Sequence, residues 1–383
     1  MNTRKKTNSS LSQIQGVVSE LKKQNVNPPG GDKYISDCYG ACLELIEDSH
    51  ENVIDIIQYA LHYRPYISPQ YFVNLFFRAL QYIELYEINN DSSGVHSYPV
   101  RLSTQKDWKK ELVSIFEFYA DDIKYILKNK NTVTTVLQRY AGPQILINMF
   151  KNSDSVTVAD FGCGGNFGLP GMELEIAYEK IDDHSPEGLA TSMLYPAPTI
   201  NKGLAFDTED PHKETAKEWR ISCSFYPSEF SKLAKTLVLE DEVAKARKTR
   251  FTLYDLTENP VDEKGSLPRN CVDFVIISTM LYQLSPKDRE SVLANAERIL
   301  TSEGLIVVQD FAIKDENTSS GLDFNTAWFS KYTWSYRTFV LGEITGWKFK
   351  EALQWPNGRC RAVREGEDFQ LIAETAAVAH STS

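Results

Sequence analysis

The chain of 383 residues has no run approaching the roughly 18 to 20 apolar residues that a membrane span requires. Its longest apolar-rich helical pattern, Tyr71 to Tyr86, is interrupted by Asn74, Arg78, Gln81 and Glu84. No membrane partner is expected. Cysteine is scarce as well. The six present (Cys38, Cys42, Cys163, Cys223, Cys271, Cys360) are too few and too scattered for a disulfide framework, and with no signal-peptide pattern the expected location is the cytoplasm. Cys38 and Cys42 stand at i, i+4 spacing, but no second Cys or His pair at ligand spacing accompanies them, so no metal site is expected. Basic residues are outnumbered, 41 Lys+Arg against 52 Asp+Glu, for a formal net charge of −11, and the one tight basic cluster is Arg4, Lys5 and Lys6. A surface of that sign repels phosphate backbones, so nucleic acid is not the expected partner. What the chain does have is core material: 42% hydrophobic residues, enough for two or three domains or one elaborated domain.

Residues 1–32 are rich in Ser, Asn, Thr, Lys, Gly and Pro and close on Pro28-Pro29-Gly30-Gly31, the composition of a mobile tail with one short helix around Leu11 to Lys23. From 33 to 150 the apolar spacing is helical. Tyr39, Cys42, Leu43 and Ile46 form one stripe, Val53, Ile56, Ile57 and Ala60 another, and Ser68-Pro69 has the form of an N-cap followed by proline at the first helical position. With no strand signal between them, these helices predict a helical subdomain that covers the site or forms a dimer. From 151 to 383 strands and helices alternate. Val156–Asp160, Ile200–Phe206, Phe251–Tyr254, Val272–Ile277 and Leu305–Gln309 read as strands, and Ser285-Pro286-Lys287-Asp288 opens a helix that Gly304 is expected to end. Such alternation predicts an α/β fold with a Rossmann-like, doubly wound sheet.

Val158-Ala159-Asp160-Phe161-Gly162-Cys163-Gly164-Gly165-Asn166 is a buried strand running into a glycine-rich turn. Glycine there permits positive φ and lets a ligand approach the backbone. The dinucleotide fingerprint wants a small residue where Phe167 stands, which counts against NAD, and no Gly-Lys-Ser/Thr follows for a P-loop. Asp160, Asp207, Asp255, Ser278 and Asp310 each fall at or just past the carboxyl end of a strand, the edge at which open α/β sheets bind ligands.

The strand with Asp160, Gly162 and Gly164 resembles the first motif of the class I S-adenosylmethionine-dependent methyltransferases, and later segments resemble that family in order over roughly residues 135–380. The resemblance implies seven strands, the last antiparallel, with Gly346–Lys350 and Phe369–Ala373 as the final two. It implies S-adenosylmethionine as cofactor, held by Asp160, Phe161, Gly162, Cys163, Gly164 and Asn166 of the first motif, by Ser278 and Thr279 after the fourth strand, and by two further acids. Asp207 would hold the ribose hydroxyls and Asp255 the adenine amino group, with Leu256 packing near the ring. Asp207 lies 47 residues after Asp160 where about 20 are usual, so Asp183 is the competing ribose acid. Choosing Asp183 leaves too little chain for a crossover helix, and Asp207 is preferred. Residues 221–247 then read as an insertion near the ligand edge.

Methyl transfer from a sulfonium is an in-line displacement, so alignment supplies most of the acceleration and a base is needed only for a protonated nucleophile. None of the six His falls on the loops after the fourth or fifth strand. Tyr282 and Asp310 are the candidate catalytic residues, and Gln283, Trp328 and Tyr332 the candidate substrate contacts. The expected reaction is methylation of an O or N atom of a small, partly apolar metabolite. The competing readings are a protein or peptide methyltransferase and a non-catalytic binding module.

Overall fold

The computed structural model describes residues 2–65, 67–88, 105–133, 136–258, 260–261, 267–311, 336–356 and 359–382. The chain divides into two compact units, Met1–Val133 with Lys217–Thr236, and Thr134–Ala216 with Leu237–Ser383.

The first unit is helical: α1 (Asn2–Val26), α2 (Lys33–Glu47), α3 (Glu51–Tyr63), α4 (Pro69–Tyr82), α5 (Gln105–Phe118) and α6 (Ala120–Asn129). Ser68 caps α4 by accepting from the Tyr71 N–H at 3.1 Å, with Pro69 at the first helical position where its missing N–H costs nothing. Asp32 does the same for α2, accepting from Tyr34 and Ile35. The short helix expected around Leu11 to Lys23 lies within a longer α1, and Val17 and Leu21 are buried in the core with Ile35, Ile56, Phe72 and Phe116 rather than belonging to a mobile tail. Ile14, Val17, Val18 and Leu21 supply the helical apolar stripe that the polar composition obscures.

Of the segment 221–247 expected as an insertion, residues up to 236 belong with 217–220 to the helical unit. They pack into the helical core through Trp219, which is 1% exposed and donates its indole N–H to the Asn131 carbonyl at 2.8 Å. Arg78, buried on α4, donates to the Ser222 and Phe225 carbonyls, and Gln81 to the Ser222 carbonyl at 2.7 Å. Ser228 donates its N–H and hydroxyl to Asp32 Oδ2.

The second unit is built on one sheet of nine strands: β1 (Ser155–Phe161), β2 (Asp182–Asp183), β3 (Thr199–Asp207), β4 (Thr249–Leu253), β5 (Val272–Ser278), β6 (Leu300–Phe311), β7 (Tyr336–Leu341), β8 (Lys350–Trp355) and β9 (Ala362–Glu365). Their spatial order is β2-β9-β8-β7-β6-β5-β1-β3-β4. From β4 across to β6 every pair is parallel, while β6/β7, β7/β8 and β8/β9 are antiparallel. This is the Rossmann-like, doubly wound α/β architecture, with nine strands rather than seven and an antiparallel meander at one end. The helices are α7 (Ala141–Phe150), α8 (Gly168–Glu173), α9 (Leu189–Ser192), α10 (Glu214–Ser224, which crosses between the units), α11 (Leu233–Val243), α12 (Pro286–Ile299) and α13 (Phe369–Thr382). Phe369–Ala373 therefore opens a helix, and Gly346–Lys350 contributes only Lys350 to a strand. Gly304 lies inside β6 rather than ending α12, and glycine is required there by close approach: a Cβ would stand 2.7 Å from the Asp273 carbonyl oxygen.

Strand alternation divides the core in two. Val156, Val158, Phe274, Ile276, Leu305 and Val307 pack with Ile145 and Leu146 of α7 and Phe369 and Ile372 of α13. Ala159, Phe161, Val275, Ile277, Ile306 and Val308 pack with Val292, Ala296 and Ile299 of α12. By that period of two, Asp160 and Ser278 continue the α7 face at the carboxyl edge, and Asp310 continues the α12 face.

Candidate active site at the carboxyl edge of the sheet

The glycine turn folds back onto β3. The N–H groups of Gly162 and Cys163 both donate to the Phe206 carbonyl, at 2.9 and 3.1 Å. Three of its residues take left-handed backbone, Gly162 at φ 74°, Gly164 at φ 54° and Asn166 at φ 55°. Asp207, the last residue of β3, locks the turn by accepting from the Gly164 N–H at 2.8 Å through Oδ2 and from the Thr208 N–H at 2.7 Å through Oδ1. Oδ1 also accepts from the Glu209 N–H at 3.4 Å, while Oδ2 keeps a lone pair for a further donor.

Asp160 is fully buried. Its Oδ2 accepts from the Tyr140 hydroxyl at 2.9 Å, and its Oδ1 has no partner among the described residues. Burial pushes its carboxyl up to about 7 against the Tyr140 hydrogen bond, and the charge of Asp207 adds to the rise. Asp207 is itself raised, by desolvation, despite three backbone N–H contacts. Asn166 Oδ1 in the turn is also buried without a partner among the described residues, while Ser278 Oγ at the end of β5 is buried facing the Tyr336 hydroxyl. Buried polar atoms are rarely left unpaired, so two orphans at one glycine turn mark a place where a polar ligand or water completes the structure.

Asp255 sits two residues past β4, half-buried, and accepts from both the N–H and the hydroxyl of Thr257 through Oδ1. The Leu256 side chain is packed in the α12-side core and its carbonyl accepts from Asn295, so it does not face the edge. Phe161 and Cys163 are buried too. Phe161 meets the Phe206 ring edge-on, and burial raises the Cys163 thiol, so both can serve a ligand only through their backbone.

Asp183, the alternative ribose acid, is on β2 at the far margin of the sheet, and caps the turn that follows by accepting from Ser185 and Thr191. Only Asp207 of the two lies beside the glycine turn.

After β5 the chain makes a tight turn with Thr279 at φ 52°, its N–H donating to the Gln309 carbonyl at 2.8 Å. Gln283 donates its side-chain amide to the Thr279 carbonyl at 2.7 Å, so it braces this turn. Tyr282 is half-buried, with its ring 5.2 Å from Phe311, which in turn is 4.9 Å from Tyr336. Asp310 does not line the open edge. It is fully buried under the turn, accepting from the Phe311 N–H at 2.7 Å and the Tyr282 N–H at 3.2 Å. Burial pushes it up to about 7, opposed by those N–H groups and by Arg289. Trp328 and Tyr332 lie outside the described residues.

Sequence reasoning missed Tyr140, Met280 and Arg289. The first comes from the turn before α7, distant in sequence from the motif it supports, and nothing in the local pattern announces it. Met280 packs against Gly162, and a Cβ on that glycine would stand 2.6 Å from the Met280 sulfur. No cluster of His, Cys, Asp and Glu able to hold a metal occurs among the described residues. Among the described residues no helix is long and apolar enough to cross a membrane.

No protein-family model matches the chain, and no curated protein matches it. Solved structures that match include an S-adenosylmethionine-dependent methyltransferase from Mesorhizobium loti, at 15% identity over 45% of this chain and 54% of that one, TM-score 0.24. A second, from Aquifex aeolicus, is 16% identical over 48% of this chain and 75% of that one, TM-score 0.23. PKMT2 from Rickettsia typhi in complex with AdoHcy is 16% identical over 45% of this chain and 25% of that one, TM-score 0.26. The chain thus spans a quarter to three quarters of these proteins, and its fold rests on its own strand order.

Proposed function

We propose that the second unit is an S-adenosylmethionine-dependent methyltransferase that methylates an O or N atom of a small, partly apolar metabolite. One observation carries the reading: strand ends of β1, β3 and β5 bring Asp160, Asp207 and Ser278 around a turn with three left-handed residues and two buried polar atoms that lack a partner among the described residues. These features fit the donor's polar parts. A glycine turn with its N–H groups drawn toward β3 leaves close backbone approach open, Asp207 Oδ2 has a lone pair for a ribose hydroxyl, and a charged acceptor makes such a bond about twice as strong as a neutral one. Asp255, past β4, is placed for the adenine end. The S-adenosylmethionine bound there supplies a methyl group already activated on a sulfonium.

The chain's own work is then to align and to exclude water. Asp207 fixes the glycine turn, Gln283 and Asp310 fix the turn after β5, and Tyr282 with Phe311 and Tyr336 forms an aromatic wall beside it. That wall supports a small acceptor with an apolar face. The enclosed position of Asp310 assigns it to holding Tyr282 rather than to touching an acceptor. The helical unit serves as a dimerisation or covering element in this reading, and the protein works in the cytoplasm.

The test is isothermal calorimetry with S-adenosylhomocysteine, followed by transfer of labelled methyl to a metabolite extract and to a peptide library. Binding lost in Gly162→Arg, with label entering the metabolite fraction, supports the reading. Label entering only peptides would move the acceptor class, and absence of binding would remove the donor.

A further inference from the structure

The turn from Thr279 to Leu284 is held from two sides by side chains that lie outside it. From β6, Asp310 accepts from the Tyr282 N–H at 3.2 Å and the Gln309 carbonyl accepts from the Thr279 N–H at 2.8 Å. From α12, Arg289 reaches back along the helix N-terminus. Its Nε donates to the Leu281 carbonyl at 2.8 Å and its Nη2 to the Leu284 carbonyl at 3.0 Å. The guanidinium is 2% exposed. Such a group is costly to bury, and here two main-chain carbonyls satisfy part of its donor fork while the carboxylate of Asp310 lies near enough to act on its charge.

What the turn carries is Met280, and Met280 is packed on the glycine turn at Gly162. Thr279 is held at φ 52°, a conformation that an L residue adopts at a cost, so the turn keeps this shape only because its surroundings determine it. We propose that Arg289 is a positioning residue of the donor site: by bridging the Leu281 and Leu284 carbonyls it fixes the Thr279–Leu284 turn, and with it Met280 and Tyr282, against the Gly162 turn. This rests on the donor reading above. A lysine cannot replace it, because a single ammonium on a flexible stem does not present two N–H vectors at the fixed spacing of the guanidinium.

The experiment combines S-adenosylhomocysteine calorimetry at 25 °C with amide hydrogen exchange of wild type, Arg289→Lys and Arg289→Met. In wild type, the Tyr282 amide should exchange as slowly as amides within β5 although it lies in a turn. In both variants affinity should fall about tenfold or more, with faster exchange confined to 279–284 and exchange in β1 and β3 unchanged. A purely structural Arg289 would lower the melting temperature of the variants and leave their affinity at 25 °C and the exchange of 279–284 as in wild type, which would overturn the proposal. Should the variants not fold, a Tyr282 amide that exchanges at the rate of a free turn in wild type overturns it as well. If wild type itself fails to bind S-adenosylhomocysteine, the donor reading fails, and the exchange arm still decides whether Arg289 fixes the turn.

Discussion

The hydroxyl of Tyr140, in the turn that precedes α7, donates to Oδ2 of Asp160 across 2.9 Å, and both side chains are buried. Among the described residues it is the one hydrogen bond to this carboxyl, whose other oxygen has no partner there. A residue outside the glycine motif therefore sets the electrostatics of its first acid.

Removing that donor should be costly where the carboxyl is charged. Tyr140→Phe is expected to lower stability by about 1–3 kcal/mol at pH 8, the range for stripping a hydrogen bond from a buried group, and by less at pH 5 where Asp160 is protonated. Urea denaturation at the two pH values checks this. Equal losses would mean that the carboxyl does not titrate as burial dictates.

Burial raises both Asp160 and Asp310 from an ordinary 3.8 to about 7. Between those values the folded chain holds protons that the unfolded chain has released. Stability contributed by these groups is therefore present at low pH and is lost as pH rises toward and through 7. The melting temperature of the second unit should fall from pH 5 to pH 8. Asp160→Asn, which removes one of the two titrations, should flatten that slope whatever it does to absolute stability. An unchanged slope would contradict the assignment.

Two glycines at positive φ separate backbone strain from steric fit. Gly346, at φ 63°, has nothing within 4 Å of a prospective Cβ, whereas Gly162, at φ 74°, would place one 2.6 Å from the Met280 sulfur. Gly346→Ala should cost only the backbone penalty, about 1–2 kcal/mol. Gly162→Ala should cost more, and adding Met280→Ala should recover the excess. Equal costs for the two single substitutions would show that Met280 yields freely.

Much of this arrangement was legible in the sequence, and the losses have identifiable causes. Four of the five parallel strands, β1, β3, β5 and β6, carry short apolar runs ending in a polar residue, because both their faces are covered, whereas β4 at the margin has no buried residue. Phe369–Ala373 is an apolar run of the same length, and periodicity over five residues does not distinguish a buried strand from the first turn of α13. The helix expected around Leu11 to Lys23 is the middle of α1, whose polar composition conceals its full length and its buried stripe. Asp207, Asp255 and Ser278 could be placed at strand ends from spacing alone, but the inward turn of Leu256, the enclosure of Asp310 and the reach of Arg289 are set by contacts between distant segments.

The allocation of residues 217–236 to the helical unit is one such contact. Arg78, 5% exposed, donates to carbonyls at Ser222 and Phe225, so Arg78→Met removes the charged donor from two buried acceptors and leaves them to Gln81 alone. It should destabilise the first unit by about 2–4 kcal/mol and expose 224–236 to limited proteolysis, while cleavage elsewhere stays as in wild type. Unchanged proteolysis would mean that Trp219 and Asp32 suffice to hold the segment.

The central claim is that the carboxyl edge of β1, β3 and β5 is a donor site, and calorimetry with S-adenosylhomocysteine tests it most directly. The account predicts one site per chain with micromolar affinity, about −8 kcal/mol, abolished by Gly162→Arg and weakened tenfold or more by Asp207→Ala. No heat of binding to the folded wild type, or binding that survives both substitutions, would contradict it.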